Sequence, residues 1–165
     1  MDSVRDDFGK LFNSPLEAGI RAVVVLEKLR PEAADLAEMV LLDHVVVHTA
    51  DLGGPPSLHP DLSDRKGELL VRRRLVERSL DLMRRCHLVD QEITDDGVLY
   101  RASDEAAGYI ELLETSHSER LKGCADWIAL QVKSTGKVQF KSFVRAQIGE
   151  WTGAFSTVGG TSLQG

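Results

Sequence analysis

The chain has 165 residues, the size of a single compact domain, and its 42% apolar and 28% charged residues are ordinary for a soluble globular protein. A formal net charge of −6 argues against a general nucleic-acid-binding protein. No segment approaches the roughly 18 consecutive apolar residues of a membrane span, and the first ten residues lack the layout of a signal peptide, so we expect a cytoplasmic protein without a membrane anchor.

Two capped helices are predicted in the first third of the chain. Ser14 is a capping residue with a proline after it, and apolar residues then recur with helical spacing. That apolar face comprises Leu16, Ile20, Val23 and Leu26. The second helix begins after Asp35, with Glu38 three positions on, and it is apolar nearly all round, which places it at the centre of the core. Gly53 and Gly54 end it.

A third helix and a β-hairpin follow. The helix is predicted from a cap at Ser63 or Asp64 to about His87. Its apolar stripe comprises Leu69, Val76, Leu80 and Met83, widened by Leu75 and Leu82. The period then changes. Residues 88–93 and 98–102 have the composition of strands and flank Thr94-Asp95-Asp96-Gly97, whose Asp-Gly pair is typical of a tight turn between strands.

Further helices are predicted after the hairpin. Ser103 is expected to cap a short helix and Ser118 a longer one, and a break at residues 134–136 separates the longer helix from a last one. The apolar face of the longer helix comprises Leu121, Cys124, Ile128 and Val132, and that of the last helix comprises Phe140, Val144, Ile148 and Trp151.

Three helices followed by a hairpin is the element order of a winged helix-turn-helix domain, in which the third helix faces DNA and the hairpin is the wing. We therefore predict a mainly α protein with a small β-hairpin. A winged helix-turn-helix domain is expected over residues 8–115, a C-terminal helical extension over 116–151 and a flexible tail over 152–165. The connection of residues 52–63 departs from this pattern, because a helix-turn-helix usually turns in about three or four residues.

The stretch that leads into this connection carries candidate metal ligands. His44, His48 and Asp51 fall at i, i+4 and i+7 of the predicted helix, and His59 follows in the loop. However, the residue after His44 is a valine, where the two-histidine protease signature needs a glutamate. A more economical interpretation is a tied loop, with Asp51, His48 and His59 bonding to backbone groups. A third alternative assigns the same side chains to a surface that binds a partner. No metal or other cofactor is expected.

Basic residues are concentrated in the third predicted helix. Residues 65–87 hold eight Lys or Arg against three Asp or Glu, a net charge of +5, which leaves −11 on the rest of the chain. The candidate basic patch comprises Arg72, Arg73, Arg74, Arg78 and Arg85. It is interpreted as phosphate contact by a recognition helix, as a solvated face, or as a patch that meets an acidic protein. Four acidic residues in the hairpin weaken the case for a DNA-binding wing.

The sequence contains no catalytic constellation. The segment 134–137 lacks the upstream glycine and the following Ser or Thr of a phosphate-binding loop. There is no Gly-x-Ser-x-Gly elbow, and Cys86 and Cys124 form no CxxC unit, so we expect both to be small core residues. The chain is therefore not expected to be an enzyme.

Three segments together resemble a known family. Residues 11–27 read LFNSPLEAGIRAVVVLE, residues 41–60 read LLDHVVVHTADLGGPPSLHP and residues 67–83 read GELLVRRRLVERSLDLM. In this order they resemble the small middle component of bacterial ABC-three-component conflict systems, to which Lamassu-type antiphage systems are related in layout. The resemblance extends over about residues 8–115 and fades in the C-terminal region.

The resemblance implies a non-enzymatic adaptor. Such systems contain an SMC-like ABC ATPase and an effector. The middle component is expected to dock on the ATPase and to position or restrain a nuclease-like effector until foreign DNA is sensed. Non-specific DNA contact within the complex is compatible with this role. The alternative function is a dimeric winged-helix transcriptional regulator that uses residues 65–87 as its recognition helix, and a metal-dependent enzyme built on the histidines is a third hypothesis.

Overall fold

A computed structural model gives the fold, and it describes the backbone of residues 14–59 and 65–156 and the side chains of residues 14–59 and 72–148. The described part is mainly helical with one antiparallel hairpin. In chain order the elements are α1 Pro15–Lys28, α2 Leu36–Val47, the short 3-10 helix η1 Thr49–Leu52, α3 Arg65–Arg85, β1 Val89–Thr94, β2 Gly97–Ala102, α4 Ala106–Glu111, α5 Ser116–Thr135 and α6 Lys137–Ser156. None of the described helices combines the length and the hydropathy that crossing a bilayer requires.

The predicted caps of the first two helices are confirmed. The Ser14 hydroxyl accepts the amide of Glu17 at 3.2 Å. Asp35 and Glu38 form a capping box, in which each side chain accepts the backbone amide of the other, at 2.8 and 3.4 Å. Helix α2 is buried on nearly all sides, so its predicted place at the centre of the core is also confirmed.

The sequence predicted one apolar face on α1, but the helix is buried on more than that face. Both α3 and α5 pack against it, so the whole run from Ala22 to Leu26 is buried. Leu16, which the sequence placed on the apolar face, is instead 54% exposed. Gly19 marks the close approach of α1 and α3, because a Cβ there would lie 2.5 Å from the Cε atom of Met83.

The apolar stripe of α3 is confirmed where side chains are described, since Val76, Leu80 and Met83 are buried. Its predicted caps, Ser63 and Asp64, and the side chain of Leu69 lie outside the described residues. The helix ends at a left-handed His87 with φ 61°. There the amides of His87 and Leu88 return to the carbonyls of Arg84 and Met83, both at 3.0 Å, which is a Schellman motif.

The prediction that both cysteines are core residues is confirmed for one of them. Cys124 is buried in α5, as predicted, and Cys86 is exposed, so its predicted core position is wrong. The reason is that Cys86 lies just past the last turn of α3, where the chain leaves the core before the left-handed His87.

The hairpin is confirmed, and a further strand-like contact extends it. Thr94 pairs with Gly97, so the two-residue loop is Asp95-Asp96. On the other side of β2, Tyr100 exchanges both backbone hydrogen bonds with Ala34, at 2.7 and 2.9 Å. The linker between α1 and α2 therefore lies beside β2.

Two predicted caps are displaced from the observed helix starts. Helix α4 begins after Glu105, whose amide donates to the Ser103 hydroxyl at 3.3 Å, so Ser103 stands two positions outside the cap. Helix α5 begins after Thr115, whose hydroxyl accepts the amide of Ser118 at 3.1 Å. Ser118, predicted as the cap, is thus inside the first turn.

The predicted apolar face of α5 is confirmed. Leu121, Cys124, Ile128 and Val132 are all buried. Gly136, with φ 87°, separates α5 from α6 at the predicted break. Helix α6 buries Phe140 and Val144 and runs to Ser156, beyond the point at which the sequence placed the start of a tail.

Candidate functional site

The predicted histidines come together at the end of α2. His44 and His48 are buried, and their ring centroids lie 4.8 Å apart. His59 returns from the loop and meets His48 edge-on at 6.3 Å. The loop therefore folds back on the helix that precedes it. The structure thus brings together the three predicted histidines, His44, His48 and His59.

Asp51 does not share a helix face with His44. Helix α2 ends at Val47, His48 has left the helical conformation with φ −127°, and Asp51 lies in η1. Among the residues whose side chains are described, no three His, Cys, Asp or Glu side chains are grouped closely enough to hold a metal ion. The metal interpretation thus gains no support from the described geometry.

A buried arginine–aspartate cluster joins the first three helices. Arg21 of α1 donates from Nε to Asp43 Oδ1 at 2.8 Å and from Nη2 to Oδ2 at 3.2 Å. Arg72 of α3 donates from Nη1 to Asp43 Oδ2 at 2.5 Å. All three side chains are almost completely shielded from solvent. One carboxylate of α2 therefore holds both neighbouring helices.

The pKa values of Asp43 and of the nearby His59 are both lowered. Burial acts to raise the pKa of Asp43, but the attraction of Arg21 and Arg72 and their hydrogen bonds outweigh it and hold that pKa below its ordinary value. Burial, followed by repulsion from the same two arginines, lowers the pKa of His59 from 6.5 to about 4. At neutral pH Asp43 is therefore ionised and His59 is uncharged.

This cluster was not predicted from the sequence. Arg72 was assigned to the exposed basic patch, but it is only 4% exposed. Arg21 and Asp43 were not singled out, although each interrupts a run of apolar residues in its helix. A charged residue in a helix that is buried on all sides needs a charged partner, and this signal could have paired Arg21 with Asp43.

The loop that follows η1 is tied to the end of α2. The amides of Leu58 and His59 both donate to the carbonyl of Val47, at 3.0 and 3.1 Å. The Thr49 hydroxyl donates to the carbonyl of Pro55 at 2.8 Å. The loop is therefore tied to α2 through backbone amides and through the hydroxyl of Thr49, which was not predicted. The ties expected from the side chains of His48, Asp51 and His59 stay a prediction.

Helix α5 packs over the same loop. A Cβ atom on Gly54 would lie 2.9 Å from two ring carbons of Trp127, so the glycine backbone sits directly against the indole. The Arg120 guanidinium donates to the carbonyl of Ser57 at 3.3 Å. The loop and the C-terminal helices are therefore parts of one surface.

An apolar groove, here called the α5–α6 groove, runs along this surface. Its lining comprises Leu52, Trp127, Gln131, Thr135, Gln139, Phe140 and Phe143. Phe143 is 46% exposed. Leu130 and Val138, which are on the same two helices but outside the lining, are 61% and 75% exposed. None of the lining residues is charged. The groove was not predicted from the sequence, although Leu130, Val138 and Phe143 lie off the buried stripes of their helices.

The remaining residues of the predicted basic patch are exposed on α3. Arg73, Arg74 and Arg78 are exposed, and Arg85 is also exposed but forms an ion pair with Asp81 at 3.2 Å. Arg84, which was not predicted, pairs with the same aspartate at 2.9 Å. A polar groove between this helix and the hairpin is lined by Arg74, Glu77, Arg78, Asp81, Arg84, Gln91 and Tyr100.

Comparison with known proteins identifies a family. The family model described as ABC-three component (ABC-3C) system Middle Component 2 matches residues 11–154. The match includes the C-terminal helices, where the resemblance noted from the sequence had faded. No curated protein and no solved structure matches the chain. Since the matched segment runs from before α1 nearly to the end of α6, the chain belongs to the middle component 2 family of ABC-three-component systems.

Proposed function

We propose that this chain is a non-catalytic accessory subunit that links an SMC-like ABC ATPase to an effector nuclease in an antiphage complex of Lamassu-like layout. Family membership supports an accessory role beside partner subunits. The structural observation that carries the linking role is the α5–α6 groove, an exposed apolar surface with aromatic walls.

We further propose that residues from α1 to β2 form a winged helix-turn-helix domain. The order of three helices and a hairpin supports it. The pairing of Ala34 with Tyr100 also supports it, because it places a strand-like segment between the first two helices beside the second hairpin strand. In this interpretation η1 and the tied loop enlarge the turn between α2 and α3.

The groove has the chemistry of a site for an amphipathic helix. Contiguous apolar surface on a soluble protein commonly marks an interaction site, and aromatic side chains are enriched in interface centres. Trp127, Phe140 and Phe143 supply such a centre, and uncharged Gln131 and Gln139 can accept or donate hydrogen bonds beside it. We propose that the occupant is a helix of the ATPase coiled coil that presents an apolar stripe.

This proposal predicts that Phe143→Glu releases the chain from the ATPase. The substitution places a carboxylate in the apolar groove, and burying it in the complex would be strongly unfavourable. The measurement is co-purification of the ATPase with the tagged chain after co-expression with its gene neighbours. We expect at least a tenfold loss of ATPase for this variant.

The matched control is Ile93→Glu, which introduces the same carboxylate at an 82% exposed position on β1. It should retain the ATPase at the wild-type level, and thermal unfolding should show that both variants fold. Recovery of the wild-type chain without an ATPase, or equal retention by both variants, would contradict the proposal.

A dimeric DNA-binding regulator is the alternative function, and the exposed arginines of α3 favour it. The hairpin opposes it, because Asp90, Glu92, Asp95 and Asp96 are all exposed there. A wing with four carboxylates would be repelled by the phosphates that it must approach.

A further inference from the structure

Helix α3 presents a face made only of charged side chains. This arginine face comprises every exposed residue from 73 to 85, namely Arg73, Arg74, Glu77, Arg78, Asp81, Arg84 and Arg85. Five arginines against two acids give it a local charge of +3 on a chain whose net charge is −6. The face is therefore positively charged on a protein whose net charge is negative.

Of the two acidic residues on the face, Asp81 forms ion pairs with its arginines, and Glu77 lies in the groove lining with Arg74 and Arg78. Asp81 pairs with both Arg84 and Arg85, at 2.9 and 3.2 Å. Within the part of the chain that the structure describes, Arg74 and Arg78 form no ion pair with any carboxylate. They are one helical turn apart, about 6 Å along the axis, and both line the groove that faces the hairpin. Arg74 and Arg78 are therefore exposed and open to an external anion.

The composition of the face distinguishes nucleic acid from protein as its partner. Protein interfaces have an apolar centre inside a polar rim, and this face has no exposed apolar residue between 73 and 85. Interfaces with nucleic acid are more polar and more basic. Arginine also matches phosphate better than lysine does, because its planar guanidinium donates two parallel hydrogen bonds. The α5–α6 groove has the opposite composition and would bind a different class of partner.

We infer that the arginine face of α3 binds the phosphate backbone of duplex nucleic acid without reading its sequence. Base-edge recognition of adenine uses Asn or Gln, and no residue of either type lies between 65 and 87. Arginine can also contact guanine edges, and a comparison of two unrelated duplex sequences tests for that contact. The acidic hairpin beside the face limits the contact to a few phosphates. The inference is independent of the proposed adaptor function, because the isolated chain suffices to test it.

The test compares Arg74→Glu/Arg78→Glu with the wild type in fluorescence anisotropy, using a labelled 20-base-pair duplex of arbitrary sequence. Two to three phosphate contacts predict that wild-type affinity falls about 12- to 42-fold between 50 and 200 mM salt. At 50 mM salt we expect the double variant to bind at least about tenfold more weakly. A second duplex of unrelated sequence should bind the wild type within about twofold.

The matched control is Lys133→Glu/Arg145→Glu, which makes the same change of net charge at two exposed cations of α5 and α6. It should lose less than about threefold in affinity, because long-range attraction alone is weak at this salt concentration. Arg74→Gln/Arg78→Gln should show an intermediate loss, and thermal unfolding checks the fold of each variant.

Three outcomes would overturn the inference. Equal losses for the two charge-reversed variants would mean that binding depends on net charge and not on this face. Undetectable wild-type binding at 50 mM salt would mean that no duplex site exists. Wild-type affinity for poly-glutamate equal to that for the duplex would mean that the face binds acidic protein.

Discussion

At the scale of single residues, Asp43 is the buried carboxylate through which α2 contacts both α1 and α3. It is the one described carboxylate that contacts both Arg21 and Arg72, and all three side chains are buried. A buried ion pair adds little net stability compared with apolar packing, but removing one partner leaves the others charged and unsolvated. The contribution of the cluster therefore depends on Asp43 remaining ionised.

Asp43→Asn is expected to lower the free energy of unfolding by about 3–5 kcal/mol, because it removes the charge of a buried carboxylate that both guanidinium groups contact. Urea unfolding followed by circular dichroism measures this change. The control is Asp81→Asn, which removes an exposed carboxylate that also pairs with two arginines and should leave the free energy of unfolding almost unchanged. A loss below about 1 kcal/mol for Asp43→Asn would show that the cluster is not the structural centre that its burial indicates.

His59 gives a pH dependence of stability whose sign follows from its pKa. The folded chain has a pKa of about 4 at His59, below the ordinary value of 6.5. Between these values the unfolded chain binds the proton and the folded chain does not, so the free energy of unfolding falls as the pH is lowered from 6.5 to 4. The stabilising contribution is complete above pH 6.5.

Urea unfolding at several pH values between 4 and 7 tests this dependence. His59→Gln should flatten it, since the substituted side chain does not titrate. His87→Asn is the control, because His87 is exposed and asparagine tolerates its left-handed backbone. An unchanged slope in His59→Gln would assign the proton uptake to a different group.

At the scale of elements, the loop after η1 and helix α5 depend on each other. Gly54 contacts the indole of Trp127 with no room for a side chain. Leu52 and Trp127 line the same groove. A displacement of the loop would therefore change the shape of the α5–α6 groove.

Gly54→Ala tests this dependence. The added methyl group would overlap the Trp127 ring, and we expect a loss of about 1–3 kcal/mol in the free energy of unfolding together with a changed tryptophan fluorescence spectrum. We also expect weaker retention of the ATPase, because the groove would be distorted.

The control for this substitution is Gly123→Ala on α5, where a Cβ atom would meet nothing within 4 Å. Alanine is the better helix former, so this variant should be neutral or more stable by up to about 1 kcal/mol. If Gly54→Ala behaved in the same way, the close contact between the loop and Trp127 would not be important.

Local signals in the sequence were sufficient to predict most elements. The capping box of α2, the stripe of α3 and the turn between the strands each depend on residues within a few positions of one another, and each was predicted correctly. The buried cluster was missed because its three members lie on three helices. Arg72 shows the limit most clearly: its neighbours Arg73 and Arg74 are exposed, and only the position of α2 determines that Arg72 is not.

At the scale of the whole molecule, two surfaces of different chemistry stand out. The α5–α6 groove is apolar and its lining is uncharged, and the arginine face is charged throughout. Periodicity could identify Leu130, Val138 and Phe143 as apolar residues off the predicted stripes of α5 and α6. It could not show that α5, α6 and the loop after η1 come together to form a groove. An accessory subunit with both surfaces could hold a protein through one and nucleic acid through the other.

The pairing of Ala34 with Tyr100 has a mechanical consequence for such an assembly. Its two backbone hydrogen bonds connect β2 to the linker between α1 and α2, and α2 carries the buried carboxylate that holds α1 and α3. A force applied to the hairpin is therefore transmitted to the centre of the helical core. A partner that displaced the hairpin would therefore displace the three helices together with it.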